Sequence, residues 1–210
     1  CSSDLISEDG EALWPERYPI ESLENIKKVM TREHGSYGWE ALYQQNPTPR
    51  EGALFKVSSF QYCERAEVPE LKRTAWYWDL AATAGGGDYT VGVLMGIGVD
   101  ENYYILRVAR GQWSVAERYD IIRACANESG RYVPVWCPLD PGAAGVEASR
   151  NFKRELAGYT VKEFRETGSK ALRAEPYASA VERGAVYLVR GPWTTEFVEE
   201  HRTFPVGKHD

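Results

Sequence analysis

The sequence predicts an α/β protein whose mixed sheet carries helices on both faces. Three apolar stretches lie at 74–81, 91–97 and 102–110, and their short connections are typical of antiparallel strands. After residue 111 the pattern changes to alternating helices and strands, which favours further pairing within one sheet. The chain has 210 residues and 43% hydrophobic content, enough for a substantial core. Its net charge of −6 argues against a polycation that coats nucleic acid.

The three antiparallel strands have different patterns. Residues 74–81 (TAWYWDLA) alternate so that Trp76 and Trp78 lie on one face and Tyr77 and Asp79 on the other. Residues 91–97 (VGVLMGI) are apolar on both faces, as expected of a central strand. The glycine run at 85–87 lacks phosphate-loop spacing, so we interpret it as the hairpin turn between these strands.

The second half of the domain alternates helices and strands. Ser114 and Glu117 form a capping-box pattern at the start of a helix that ends at Gly130. The elements predicted next are a strand at 132–139, a helix at 144–156, a strand at 159–164, a helix at 170–183 that contains Pro176, a strand at 186–189 and a helix at 195–203. This order belongs to a short list of folds, of which the ribonuclease H-like fold is the best known.

Composition also predicts the domain boundary and the compartment. Two prolines in residues 46–52 (NPTPREG) end the helical pattern of the residues before them. We therefore expect residues 1–52 to form a linker segment with two short helices. Residues 53–210 then form the α/β domain. The sequence has no apolar run long enough to cross a membrane and no secretory signal, so we expect a cytoplasmic protein with reduced cysteines.

Three aspartates lie where chemistry is expected. Asp79 lies within the aromatic strand at 74–81, where an aspartate is disfavoured, Asp140 follows the fourth strand just before a helix, and Asp210 ends the sequence. Each also has a structural interpretation: a solvated strand end for Asp79, a helix N-cap for Asp140 and a disordered terminus for Asp210. If the fourth strand lies beside the first, Asp79 and Asp140 approach one another at the strand ends where α/β proteins bind ligands.

Carboxylates that converge at one sheet edge are suited to Mg²⁺ or Mn²⁺. These hard cations prefer oxygen ligands and retain water for a substrate phosphate. Two such ions about 4 Å apart activate a water and stabilise the leaving oxygen of a phosphodiester.

Several stretches, in order and spacing, resemble the C-terminal nuclease domain of the large terminase subunits of tailed bacteriophages. They are residues 10–17 (GEALWPER), 39–47 (WEALYQQNP), 51–55 (EGALF), 78–81 (WDLA), 140–145 (DPGAAG) and 204–210 (FPVGKHD). The resemblance implies a ribonuclease H-like fold and two-metal cleavage of double-stranded concatemeric DNA, with Asp79, Asp140 and Asp210 as the catalytic metal ligands.

The resemblance also implies partners: a terminase ATPase domain, a small terminase subunit and a portal, in the cytoplasm of the bacterial host. The sequence lacks a phosphate-loop motif and stops within the third acidic cluster, so we expect a fragment truncated at its C-terminus. Residues 168–174 (GSKALRA) resemble a further family stretch, in which Lys170 and Arg173 lie one helical turn apart and can contact DNA phosphates. A solvated helix face is the alternative for this pair.

Two other functions compete with this interpretation. Resolvase, integrase or transposase cores also use clustered carboxylates and two metals, although the linker-like N-terminal segment argues against them. The second alternative is a non-catalytic docking module of the packaging motor.

Overall fold

A computed structural model of the chain describes residues 14–29, 54–81, 88–139, 143–165 and 168–205. Within this part, the chain forms two compact units. Of the described residues, those between 61 and 165 and those in 186–197 belong to the larger unit, and 14–29, 54–60, 168–185 and 198–205 belong to the smaller unit. Among the described residues, no helix combines the length and the apolar character needed to cross a membrane.

The larger unit is built on a seven-stranded mixed sheet with the order β1-β7-β4-β3-β2-β5-β6. Its strands are β1 (Gln61–Cys63), β2 (Leu71–Asp79), β3 (Thr90–Gly98), β4 (Tyr103–Gly111), β5 (Val135–Pro138), β6 (Val161–Phe164) and β7 (Val186–Val189). Strands β2, β3 and β4 are antiparallel neighbours. Strand β5 pairs parallel with β2 and β6 pairs parallel with β5, while β7 and β1 continue the sheet in parallel beyond β4.

The described part of the chain contains five α-helices. They are α1 (residues 20–29), α2 (Val115–Ser129), α3 (Ala143–Glu155), α4 (Lys170–Glu182) and α5 (Thr194–Thr203), with short 3₁₀ helices at Val57–Ser59 and Arg65–Glu67. The predicted capping box opens α2: the Ser114 hydroxyl accepts from the Glu117 amide, and the Glu117 carboxylate accepts from the Ser114 amide at 2.9 Å. Gly130 ends this helix with a φ of 93°, a conformation that glycine adopts without strain.

The core of the larger unit lies where the buried face of β2 meets α2 and α3. The indoles of Trp76 and Trp78 stack with centroids 5.4 Å apart, and the Trp76 Nε1 donates to the Ser129 hydroxyl on α2 at 2.8 Å. A Cβ on Gly92 would lie 2.6 Å from the Trp78 ring, so β3 needs a glycine beneath this indole. Side chains from both helices complete the cluster, among them Ile122, Cys125, Phe152 and Leu156.

The smaller unit has its own aromatic cluster. Phe55 packs edge-on against Tyr177 of α4 and against His201 of α5, with ring centroids 5.4 and 4.7 Å away. Burial raises the pKa of the Tyr177 hydroxyl, which has no hydrogen-bond partner in the described chain. The Leu54 amide donates to the Phe204 carbonyl at 3.2 Å, which joins the ends of two separate segments of this unit.

The predicted α/β class, with three antiparallel strands followed by alternating helices and strands, is confirmed. Strand β2 begins three residues earlier than predicted, and β5 is shorter because its pairing begins only at Val135, after Pro134. Strand β1, which pairs with β7, was not predicted, because three residues are too few to show the alternation of buried and exposed side chains that identifies a strand. The predicted boundary at residue 52 and the glycine turn at 85–87 lie outside the described residues, so both stay predictions.

Candidate functional site

The candidate site lies at the carboxyl end of β2. Asp79 is the last residue of this strand and is exposed, while Trp78 before it is buried, as the alternation predicts. Strand β2 is an interior strand between β3 and β5. Its parallel pairing with β5, in which Tyr77 lies opposite Trp136, brings the carboxyl ends of both strands to one edge of the sheet. The condition set for an approach of Asp79 and Asp140, that the predicted strand at 132–139 lies beside the one at 74–81, is met by β5 and β2.

The backbone after Asp79 is held by two side chains. The Ala81 amide donates to the hydroxyl of Thr90 at 3.1 Å, and the Ala81 carbonyl accepts from the Arg118 Nη1 at 2.8 Å. Thr90 is buried at the start of β3, and Arg118 lies in the first turn of α2. Both polar groups of one peptide position are thus satisfied by neighbouring elements, which fixes the path of the chain where it leaves the site.

Neither anchoring residue was predicted from the sequence. Thr90 is an ordinary residue type for a strand, and Arg118 resembles any surface cation of an amphipathic helix. The one available indication is the position of Arg118 directly after the capping box, in the first turn of α2.

The other two predicted aspartates are beyond the part of the chain that the structure describes. Asp140 and Asp210 lie outside the described residues, although Leu139 is anchored to β6 through its amide, which donates to the Phe164 carbonyl at 2.8 Å. Among the residues that the structure describes, no group of three histidine, cysteine or acidic side chains could hold a metal ion. The three-aspartate site therefore stays a prediction that depends on Asp140 and Asp210.

The predicted DNA-binding pair belongs to the smaller unit. Lys170 is the first residue of α4, and both it and Arg173, one turn later, are exposed. Ser169 caps this helix, with its hydroxyl accepting from the Leu172 amide at 3.2 Å. The helix begins where the sequence predicts it, and the role of the two cations stays a prediction.

Thiol chemistry does not compete with the carboxylates in the larger unit. Cys63, Cys125 and Cys137 are buried free thiols. Burial raises the pKa of Cys137 on β5 to about 11, and this thiol packs in the core cluster with Trp76 and Trp78, on the face of the sheet opposite Asp79. Oxygen donors are thus the available chemistry beside the end of β5, and they suit hard cations.

A mixed sheet with three antiparallel strands, followed by parallel α/β units and a carboxylate at the end of an interior strand, defines a ribonuclease H-like domain. A family model described as "Terminase RNaseH-like domain" matches residues 76–209, and the chain belongs to this family. The resemblance to the phage terminase nuclease domain and the predicted ribonuclease H-like fold class are thereby confirmed.

Solved structures of low sequence identity accompany this assignment. The large terminase nuclease from thermophilic phage G20c, with bound zinc, has a TM-score of 0.49 and 15% identity over 75% of this chain and 91% of that chain. The magnesium-bound structure of the same nuclease has a TM-score of 0.46 and 12% identity over 73% and 81% of the two chains. The nuclease domain of the large terminase subunit gp2 of bacterial virus Sf6 has a TM-score of 0.45 and 14% identity over 71% and 81%. No curated protein gives a match, and the family assignment rests on the family model.

Proposed function

We propose that this chain is a metal-dependent endonuclease domain of a viral DNA-packaging terminase that cuts double-stranded concatemeric DNA. The observation that carries the proposal is the exposed Asp79 carboxylate at the carboxyl end of the interior strand β2, beside the parallel strand β5 that leads towards Asp140. Membership of the terminase family over residues 76–209 supports it.

In the proposed site, Asp79, Asp140 and Asp210 hold Mg²⁺ or Mn²⁺ through carboxylate oxygens. The described surroundings fit such ions, because Asp79 offers oxygen donors at an exposed strand end, whereas the Cys137 thiol is buried in the core on the other face of the sheet. When two ions are bound, they supply an activated water and stabilise the leaving oxygen of the phosphodiester. The zinc and magnesium bound to the phage G20c nuclease are consistent with divalent metal use.

The chain's own residues position these groups. The Ala81 amide donates to Thr90 and its carbonyl accepts from Arg118, which holds the backbone that follows Asp79, so the carboxylate needs little reorganisation to bind an ion. Lys170 and Arg173 contact DNA phosphates from α4, without reading sequence. The terminase ATPase domain, the small subunit and the portal are the proposed partners, and the proposed compartment is the cytoplasm of the bacterial host.

The decisive experiment is nicking of supercoiled plasmid by this chain in Mn²⁺, Mg²⁺ or EDTA, with the variant Asp79→Asn beside the wild type. We expect metal-dependent nicking that falls by at least about a hundredfold in Asp79→Asn, because the amide is a weak ligand for a hard cation. Asp120→Asn is the matched control, since this exposed aspartate of α2 forms only a surface ion pair with Arg123.

Equal cleavage by Asp79→Asn and the wild type would refute the proposed role of Asp79. If the wild type does not cut at any protein concentration, the same assay on a chain extended beyond Asp210 separates an incomplete acidic cluster from a non-catalytic domain.

A further inference from the structure

The face of the sheet that carries Asp79 also carries an unusual row of side chains. Tyr77 lies opposite Trp136 in the β2–β5 pairing, and Trp136 lies opposite Lys162 in the β5–β6 pairing. The three residues therefore form one continuous row across three parallel strands, and we call it the Tyr77–Trp136–Lys162 row.

The contacts within the row hold two flat rings parallel. The Tyr77 and Trp136 rings stack with centroids 5.6 Å apart and an interplanar angle of 5°, and Phe164 adds a tilted contact to Tyr77 at 6.0 Å. The Lys162 Nζ lies 5.3 Å from the centroid of the Trp136 ring, within cation–π range. An ordered aromatic pair with an ammonium beside it is thus present before any partner binds.

The row is open to solvent although its central strand is interior to the sheet. Tyr77 is 41% exposed, whereas Trp76 and Trp78 on the opposite face of β2 are almost fully buried. Lys162 is exposed as well, and Trp136 between them is half-buried. Since folding alone favours covering such rings, an ordered pair that leaves the Tyr77 ring exposed beside a charged group indicates a binding surface.

The row is continuous with the candidate site. Tyr77 precedes Asp79 by two residues on the same face, a separation of about 6.6 Å at the rise of an extended strand. The exposed Tyr77 ring, held in place by its stacking on Trp136, offers an aromatic surface on which any base can stack, and Lys162 offers a cation for a phosphate. A paired base inside a duplex cannot stack on a protein ring, so this chemistry selects a nucleotide whose base is unpaired.

We propose that the Tyr77–Trp136–Lys162 row binds a nucleotide with an unpaired base next to the phosphodiester held at Asp79. The inference rests on the proposed nuclease function and adds a substrate preference to it. The domain binds single-stranded or locally opened DNA more tightly than fully paired duplex, and cutting a duplex requires local opening at the site.

The test measures DNA affinity by fluorescence anisotropy, with Ca²⁺ in place of Mg²⁺ so that binding is read without cleavage. The probes are a labelled single-stranded oligonucleotide of mixed sequence and its blunt duplex. We expect Tyr77→Ala and Lys162→Ala each to weaken single-strand binding about tenfold, and Tyr77→Ala to weaken duplex binding less than about twofold. Tyr77→Phe keeps the ring and is expected to keep single-strand affinity.

Two control variants match these substitutions. Tyr132 is 94% exposed in the segment between α2 and β5, so Tyr132→Ala removes a surface tyrosine outside the row. Lys72 lies near the other end of β2 and pairs with Glu101, so Lys72→Ala removes a cation of the same strand away from Asp79. Both controls are expected to change single-strand affinity less than about twofold.

The inference is overturned if Tyr77→Ala leaves single-strand affinity unchanged, if it weakens single strand and duplex equally, or if Tyr77→Phe loses as much as Tyr77→Ala. Plasmid nicking decides the nuclease function separately. A wild type that nicks plasmid while Tyr77→Ala binds single strands normally retains the proposed function and refutes this inference. If the chain does not nick plasmid but the variants show the expected affinity losses, the inferred binding role of the row is supported and the proposed nuclease function is refuted.

Discussion

Asp100 and Tyr104 form a pair whose chemistry depends on tertiary placement. The Tyr104 hydroxyl donates to the Asp100 Oδ2 at 2.7 Å, and this hydrogen bond holds the pKa of Asp100 below its ordinary value. The Asn102 amide adds a second donor to the same carboxylate, at the turn between β3 and β4. Burial, followed by this carboxylate, raises the pKa of Tyr104. The pair therefore stabilises the hairpin when Asp100 is ionised.

We predict that Tyr104→Phe lowers the free energy of unfolding by about 1 kcal/mol near neutral pH. Because the folded pKa of Asp100 is depressed, its contribution is complete above the unfolded value of about 3.9 and is lost as the pH falls through the lower folded value. The difference between wild type and variant in urea unfolding should shrink below about pH 4. Tyr103→Phe is the neighbouring control, and a difference that stays constant down to pH 2 would contradict the role of Asp100.

Helix α2 connects local capping to the candidate site. Its first turn is held by the reciprocal hydrogen bonds of Ser114 and Glu117, which lower the pKa of Glu117. The same turn carries Arg118, whose Nη1 donates to the Ala81 carbonyl two residues after Asp79. Fraying of this turn would therefore loosen the backbone at the end of β2.

We predict that Ser114→Ala costs about 1 kcal/mol of stability and raises the Mn²⁺ concentration needed for half-maximal plasmid nicking by about threefold. The stability cost follows from the lost cap, and the metal effect follows from the loosened anchor of Arg118. Ser169→Ala removes the corresponding cap of α4, whose hydroxyl accepts from Leu172 at 3.2 Å, so it serves as the control with a similar stability cost. Equal metal shifts in both variants would show that only global stability matters.

At the scale of the whole molecule, DNA affinity must overcome a net charge of −6. Binding by an acidic protein depends on a few local cations and on the metal ions that neutralise its carboxylates. Such binding is weak, sensitive to salt and nearly independent of sequence.

We predict that log Kobs for duplex DNA falls linearly with log salt concentration. Lys170→Ala and Arg173→Ala should each make this negative slope shallower by about 0.9. The reason is that each variant removes one phosphate contact and its released counterion. Anisotropy titrations over a range of NaCl concentrations measure the slope. Arg154→Ala removes an exposed cation of α3 and should leave the slope unchanged; slopes that stay the same in all three variants would place the phosphate contacts elsewhere.

The sequence alone determined the class of fold, most of the elements and the family. Alternation in residues 74–81 predicted which face of β2 is buried, and the capping box predicted the start of α2, because both patterns depend on local geometry. The candidate aspartates followed from position, since Asp79 lies within a predicted strand, Asp140 follows another just before a helix and Asp210 ends the sequence. Strand β1 could not be predicted, because three residues are too few to establish a period.

Only the tertiary structure decided which distant residues meet. The anchoring of Ala81 by Thr90 and Arg118 joins side chains 9 and 37 positions away in sequence, and their contact depends on strand order. The Tyr77–Trp136–Lys162 row likewise exists only because β2, β5 and β6 pair in parallel with one register. Local patterns report the burial and conformation of a segment, whereas a site is formed by residues that long-range pairing brings together, and no local period encodes that pairing.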